Sequence, residues 1–196
     1  MVHHARAELP LAKHTQCIQL PSPMAAAPSR PDPISDVPHA AGAVLETSCA
    51  AVGVLVEQEQ RRLVAREPIA AGTLIFVIAG RESATPTRYS VQVARDLHIE
   101  CDDLPPGLER VRHRYWMYLN HHCEPSAWVR GREVVALRDI APGEGVTFDY
   151  NTTEWDMASP FDCHCGSADC VGTVRGLSHL SEARRAKIAP YIASYL

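Results

Sequence analysis

Three cysteines in the run Cys163-His164-Cys165-Gly166-Ser167-Ala168-Asp169-Cys170 constrain this chain more than any other feature. A closed zinc site takes four ligands, so thiols spaced by one and by four residues leave one position to be filled from elsewhere. Cys123 stands alone in the polar run Asn120-His121-His122-Cys123-Glu124-Pro125-Ser126 and is read as the fourth ligand, with the His121 imidazole as the alternative donor. A metal held in this way closes a loop of about forty residues and ties the Asn120-His121 turn to the segment just beyond Tyr150. A redox-active thiol cluster is the competing use of the same cysteines, but it gives Asn120 and Tyr150 no role.

The rest of the chain reads as one domain with tails, because 196 residues are too few for two domains of ordinary size. Residues 1–42 form an expected disordered arm, with Pro10, Pro21, Pro23, Pro28, Pro31, Pro33 and Pro38 set among alanines and serines without periodicity. From Ala43 onward, the runs at 52–57, 61–65 and 72–78 predict short β-strands separated by polar or glycine-bearing turns. The segment from Arg66 to Gly72 is echoed from Arg138 to Gly143, each placing a turn glycine before a β-branched or aromatic run. Tyr89 to Val93 alternates like a strand, Arg110 to Arg114 reads as a solvated basic face, and Tyr115 to Leu119 as packing beneath the polar turn. Ser181 opens a short C-terminal helix interrupted near Pro190, with Arg184, Arg185 and Lys187 on its wet face and Tyr191, Ile192 and Tyr195 available to pack back on the domain.

A net charge of -4 offers no electrostatic argument for gripping nucleic acid or an anionic membrane. No apolar run reaches the roughly eighteen residues of a membrane span, and the N-terminus lacks the apolar stretch of a signal peptide. Of seven cysteines, four gather as ligands, and the scattered Cys17, Cys49 and Cys101 read as free thiols, which suits a reducing, cytoplasmic or nuclear compartment.

Between the two thiol-bearing runs lies Gly143-Glu144-Gly145-Val146-Thr147-Phe148-Asp149-Tyr150-Asn151. The three runs in this order resemble the SET-domain protein lysine methyltransferases that carry a post-SET zinc motif. The first is similar to that family's cofactor turn, the second to its catalytic strand, the third to its zinc segment. The resemblance implies a mainly β (α+β) fold of small curved sheets, β-clip-like, with a knot-like crossing and a short C-terminal helix. It implies a SET domain over 43–158, a post-SET zinc segment over 159–176 and a helical tail over 177–196, in a small single-domain member of the family.

By the same resemblance, the chain transfers a methyl group from S-adenosylmethionine to the ε-amino group of a lysine in a protein or peptide. Tyr150 is then the catalytic residue. Asn120, His121, Tyr89, His164 and Trp155 bind the cofactor together with Tyr150, and so do Val52 and Gly53, where the family's Gly-x-Gly is reduced to Ala51-Val52-Gly53. Zinc is structural at Cys123, Cys163, Cys165 and Cys170. Phe148 shares a strand face with Tyr150 and lines the lysine channel; phenylalanine there in place of tyrosine implies space for an already methylated amine, hence di- or trimethylation. Ser126 stands where the family has asparagine and keeps one hydrogen bond of the amide's set. Ala51 and Ser126 motivate the alternative, a zinc-stabilised binding module that keeps the fold without turnover.

Overall fold

The computed structural model describes residues 42–196 apart from 58, 59, 102, 103, 105 and 106. The arm expected at 1–42 lies outside the described residues except for Gly42, and Cys17 lies outside them too.

The chain begins with β1 (Val44–Glu46), β2 (Val52–Glu57) and β3 (Gln60–Ala65), an antiparallel sheet in that order. Val52, Val54 and Val56 alternate along β2 and bury one face completely, whereas the other face runs from buried Gly53 through half-buried Leu55 to exposed Glu57. Gly53 is demanded by the packing of β1, since a Cβ there would lie 2.5 Å from Val44 Cγ1. Next come β4 (Leu74–Val77), β5 (Arg81–Ser83), β6 (Val91–Ala94) and β7 (Leu97–Glu100), then α1 (Leu108–His113). The strands β8 (Asn120–His121), β9 (Ala127–Arg130), β10 (Glu133–Ala136) and β11 (Thr147–Phe148) carry the central motifs, and β12 (Phe161–Asp162), β13 (Thr173–Val174) and α2 (Glu182–Ile188) complete the chain.

Small sheets result, as expected of this mainly β chain: β4-β10-β9, β5-β7-β6, β12-β13 and the pair β8-β11. The pairing of β8 with β11 is parallel, Asn120 opposite Thr147 and His121 opposite Phe148, and it sets the polar turn alongside the strand that leads into Tyr150. The echoed segments also meet in space. Ile69 and Ile140 exchange both backbone hydrogen bonds, 3.0 and 2.8 Å, so the internal repetition forms one bridged unit.

Trp116, Tyr115, Phe76, Leu63, Ile75 and Ile99 fill one core between these sheets. Each such side chain contributes about 1.5–3 kcal/mol relative to exposure. Tyr115 meets Phe76 edge to face at 5.1 Å, and Trp116 donates its indole N–H to the Ala79 carbonyl at 2.8 Å, so the aromatic run before Asn120 is core, as its sequence suggests.

Four expectations need correction. Tyr89 precedes β6 in a turn instead of lying in the strand, since the chain makes Thr87–Ser90 side-chain turns first. Arg114 is buried and not part of a wet basic face. Arg184 is buried in an ion pair described below. Cys49 is disulfide-bonded instead of a free thiol. No helix among the described residues is long and apolar enough to cross a membrane.

Candidate active site and metal centre

The Sγ atoms of Cys123, Cys163, Cys165 and Cys170 lie within 4.8 Å of one another. A tetrahedral zinc with Zn–S near 2.3 Å sets its sulfurs about 3.8 Å apart, so the donor set fits that metal with no fifth position. Two short elements bring the thiols together. The β12-β13 hairpin sets Cys163 beside Gly172, whose carbonyl it meets through its N–H at 2.6 Å, and a turn at Ser167 folds Cys170 back under it. Burial pushes the Cys123 thiol far up and the Cys163 thiol to about 11. Burial raises Cys165 as well, but the N–H groups of Cys123 and Ser167 and the thiols of Cys163 and Cys170 outweigh it and bring it down to about 6. Cys123, Cys163 and Cys165, with such unequal tendencies to ionise, become equivalent thiolates only around a cation.

The alternative donor, His121, lies beside the cluster instead of in it. Its Nδ1 accepts the Tyr150 N–H at 3.2 Å, which leaves the ring proton on Nε2, 3.2 Å from Cys123 Sγ. Burial holds the imidazole well below its usual range, at about 4, although the Asp149 carboxylate pulls the other way. A neutral ring that donates to a ligating sulfur orients that sulfur from outside the coordination sphere.

Tyr150 packs against the main core and against the small second core of Cys123, Cys163 and Val174. Its ring meets Phe148 at 4.7 Å, His121 at 5.3 Å and Phe161 at 5.9 Å. Its hydroxyl donates to the Leu119 carbonyl at 2.8 Å, one residue before Asn120, and burial raises the phenol far above its ordinary value. The group is therefore a fixed, protonated hydroxyl whose oxygen keeps its capacity to accept.

A cavity of about 610 Å³ opens beside this ring. Tyr89, Asn120, His121, Phe148, Tyr150 and His164 all line it, whereas Val52, Gly53 and Trp155 do not. Val52 and Gly53 are buried in β2, and Trp155 is 50% exposed. The size suits a ligand of cofactor class, and the lining pairs aromatic faces with a few polar groups, which fits a nucleoside carrying a charged amino-acid arm. Asn120 donates one Nδ2 hydrogen to the Arg61 carbonyl at 3.1 Å, which fixes the side chain and leaves its second N–H and its Oδ1 for a ligand.

Sequence reasoning missed three residues. Glu154 lines the cavity with its carboxyl raised to about 7 by burial. Asp149, buried between Phe148 and Tyr150, accepts from the backbone and side-chain N–H groups of Asn151 at 3.1 and 2.8 Å. Arg184 of α2 reaches back to the Cys123 carbonyl at 2.7 Å and to Asp149 Oδ2 at 2.8 Å. Only the acid in Asn151-Thr152-Thr153-Glu154 offered a sequence signal, an isolated charge directly after the tyrosine motif.

Ser126 does more than expected. It is fully buried, its Oγ donates to the Gly145 carbonyl at 2.8 Å, and it accepts from the Thr147 N–H at 3.0 Å. It makes two hydrogen bonds where one was expected, and it fastens the polar turn to β11.

The chain is similar over part of its length to known proteins. Residues 60–151 match the family model of the SET domain. "Methyltransferase flvH" of Aspergillus flavus is 41% identical over 75 residues, 36% of this chain and 42% of that protein. A "Histone-lysine N-methyltransferase, H3 lysine-36 specific" of Chaetomium globosum is 32% identical over 80 residues, 37% of this chain and 9% of that protein. "Histone-lysine N-methyltransferase ash1" of Drosophila melanogaster is 32% identical over 126 residues, 57% of this chain and 6% of that protein. The chain thus spans less than half the length of these relatives. A solved structure of KRYPTONITE with mCHG DNA and SAH superposes with a TM-score of 0.48 at 19% identity, over 62% of this chain and 28% of that one.

Proposed function

The chain carries a SET domain, and from that premise we propose that it transfers a methyl group from S-adenosylmethionine to the ε-amino group of a lysine in a protein or peptide. The observation that carries the reading is Tyr150: a fixed hydroxyl in the wall of a cofactor-sized cavity, at the seam between the main core and the four-thiol cluster. The relatives named as histone-lysine methyltransferases support lysine as the acceptor and make histones the first substrates to try.

S-adenosylmethionine supplies an electrophilic methyl on a sulfonium, whose departing thioether is neutral and needs no proton. The residues must therefore align the amine and keep it uncharged. Deprotonating a lysine of pKa about 10.4 at pH 7 costs about 4.6 kcal/mol in water, and a desolvated channel lowers that cost because it disfavours the ammonium. Phe148, Tyr150 and Phe161 form such a wall. The Tyr150 oxygen orients the amine, and Asn120, His121, Tyr89 and His164 hold the cofactor. The thiol cluster would hold zinc as a structural ion that pins Cys123, and with it the Asn120 turn, beside Tyr150.

Phe148 brings no hydroxyl to the channel, which supports room for a second and third methyl. Mass spectrometry of a histone or peptide library incubated with zinc-loaded protein and labelled cofactor tests the whole reading. Di- and trimethyl products are expected, Tyr150→Phe should reduce transfer at least a hundredfold, and Phe148→Tyr should shift the product toward monomethyl. Calorimetry with S-adenosylmethionine separates this enzyme from a fold kept for binding alone, because failure of the zinc-loaded chain to bind the cofactor would contradict the reading.

A further inference from the structure

Glu154 sits four residues beyond Tyr150 with its main chain tied on both sides: its N–H donates to the Tyr150 carbonyl at 3.0 Å, and its own carbonyl accepts the Leu177 N–H at 2.8 Å. Its side chain, 12% exposed, lines the cavity together with Phe148 and Tyr150. One carboxyl oxygen accepts the Gln92 N–H at 2.9 Å, and the other is 3.9 Å from His98 Nε2. His98 is the ion-pair partner of Glu154 among the described residues, and burial holds that imidazole below its usual range, toward the neutral form. The carboxyl thus sits in the wall of the cavity that Tyr150 and Phe148 also line, with no permanent cation paired to it among the described residues, a placement that burial alone disfavours.

We propose that Glu154 is the residue that recognises the substrate amine: it receives the target lysine as an ammonium beside Tyr150 and takes its proton. This rests on the methyl-transfer reading above. In the step, an N–H bond of the ammonium breaks, an O–H bond forms on the carboxylate, and the electron pair stays on nitrogen for attack on the methyl. The carboxylic acid returns its proton to water as the methylated product, again an ammonium, departs. Burial has already moved the acid in the useful direction. An ordinary glutamate differs from lysine by about 6 pH units of acidity, and one raised to about 7 differs by about 3, so the transfer is far less uphill.

The test is Glu154→Gln in the full zinc-loaded chain, which keeps an acceptor for the Gln92 N–H and removes the charge. Three quantities are read: calorimetric affinity for S-adenosylhomocysteine, kcat/KM on a lysine peptide, and the affinity ratio of that peptide to its norleucine counterpart in the presence of S-adenosylhomocysteine. Wild-type protein should prefer lysine over norleucine at least tenfold. The variant should bind S-adenosylhomocysteine within twofold of wild type, lose the lysine preference, and fall at least a hundredfold in kcat/KM. Retention of kcat/KM within threefold would overturn the proposal and leave the methyl-transfer reading intact. A fall in S-adenosylhomocysteine affinity with lysine preference retained would assign Glu154 to the cofactor and equally overturn it. Wild-type protein that neither binds the cofactor nor methylates would refute the underlying reading itself.

Discussion

Replacing Arg184 by methionine should cost about 3 kcal/mol of stability although the residue lies in the C-terminal helix, 61 positions from the turn it touches. Methionine keeps most of the aliphatic stem, so packing changes little and the guanidinium is what is lost. The Arg184 side chain is 9% exposed and the Asp149 side chain 2%, so the pair is buried. Removing one partner of such a pair typically costs 3–5 kcal/mol, because the other charge stays behind without compensation. Two features place the loss at the low end of that range. Asp149 keeps two donors from Asn151, and Arg184 Nε has no partner in the native structure, so its removal relieves a small existing cost. Urea unfolding of wild type, Arg184→Met, Asp149→Asn and the double variant would measure the pair directly. A coupling energy of at least about 1.5 kcal/mol is expected, with the double variant more stable than the sum of its parts predicts. A single-variant loss below about 1 kcal/mol together with additive behaviour would refute the view that this pair fastens the C-terminal helix to the domain.

Three further outcomes are expected. Metal analysis should find one zinc per chain, and Cys165→Ser or a strong chelator should remove it together with cofactor binding; a stoichiometric cofactor complex in metal-free protein would contradict the structural role. Glu154 has its carboxyl raised from 4.5 to about 7, chiefly by burial, so folding favours the protonated form: the stability this contributes is complete below pH 4.5 and is lost as pH rises through 7. Glu154→Gln should therefore gain stability relative to wild type by about 2–3 kcal/mol between pH 5 and pH 8, as read from urea midpoints, and a difference independent of pH would count against the buried, uncompensated carboxyl. Truncation after Gly176 should destabilise the domain and leave no gain in activity, because it removes Arg184 and also Tyr195, whose hydroxyl reaches the Gln92 and Thr153 carbonyls at 2.7 and 3.1 Å; higher turnover in the shortened chain would instead make the tail an inhibitor.

Much of this architecture was legible because its cause is local. The valine alternation of β2 and the strands after it follow from backbone preference and burial, and three of the four clustered thiols follow from their spacing, with Cys123 read as the fourth. The echo of Arg66–Gly72 in Arg138–Gly143 predicted two turns that lead into strands, and the structure adds that the two segments pair through Ile69 and Ile140. What stayed hidden depends on long side chains and tertiary contacts. Helical spacing put Arg184 with Arg185 and Lys187 on one wet face, and no local rule distinguishes the one whose guanidinium reaches Asp149. Two-residue strands such as β8 and β11 have no period to detect and exist because they pair with each other. Glu154 is a cavity residue only because the 3-10 turn from Tyr150 to Thr152 points the following segment back toward β6.

The turn at Asn120–Cys123 is held by ties of very different strength, and their ranking decides which one organises the site. Ser126 and the β8-β11 pairing each supply hydrogen bonds worth roughly 1 kcal/mol net, and removal of Arg184, which donates to the Cys123 carbonyl and pairs with Asp149, costs about 3 kcal/mol by the reasoning above. A structural zinc on four thiolates contributes on the order of 10 kcal/mol, more than the others together. Loss of Arg184 or Ser126 should therefore loosen the turn while the site survives, whereas loss of the metal leaves weaker ties to hold four thiols of which burial wants at least two protonated. Tyr150 feels that difference first, since its ring packs on both the main core and the thiol cluster and its N–H rests on His121, the ring that touches Cys123. The placement of Tyr150 is in this sense an extension of the thiol cluster, and one imidazole spans the distance between them.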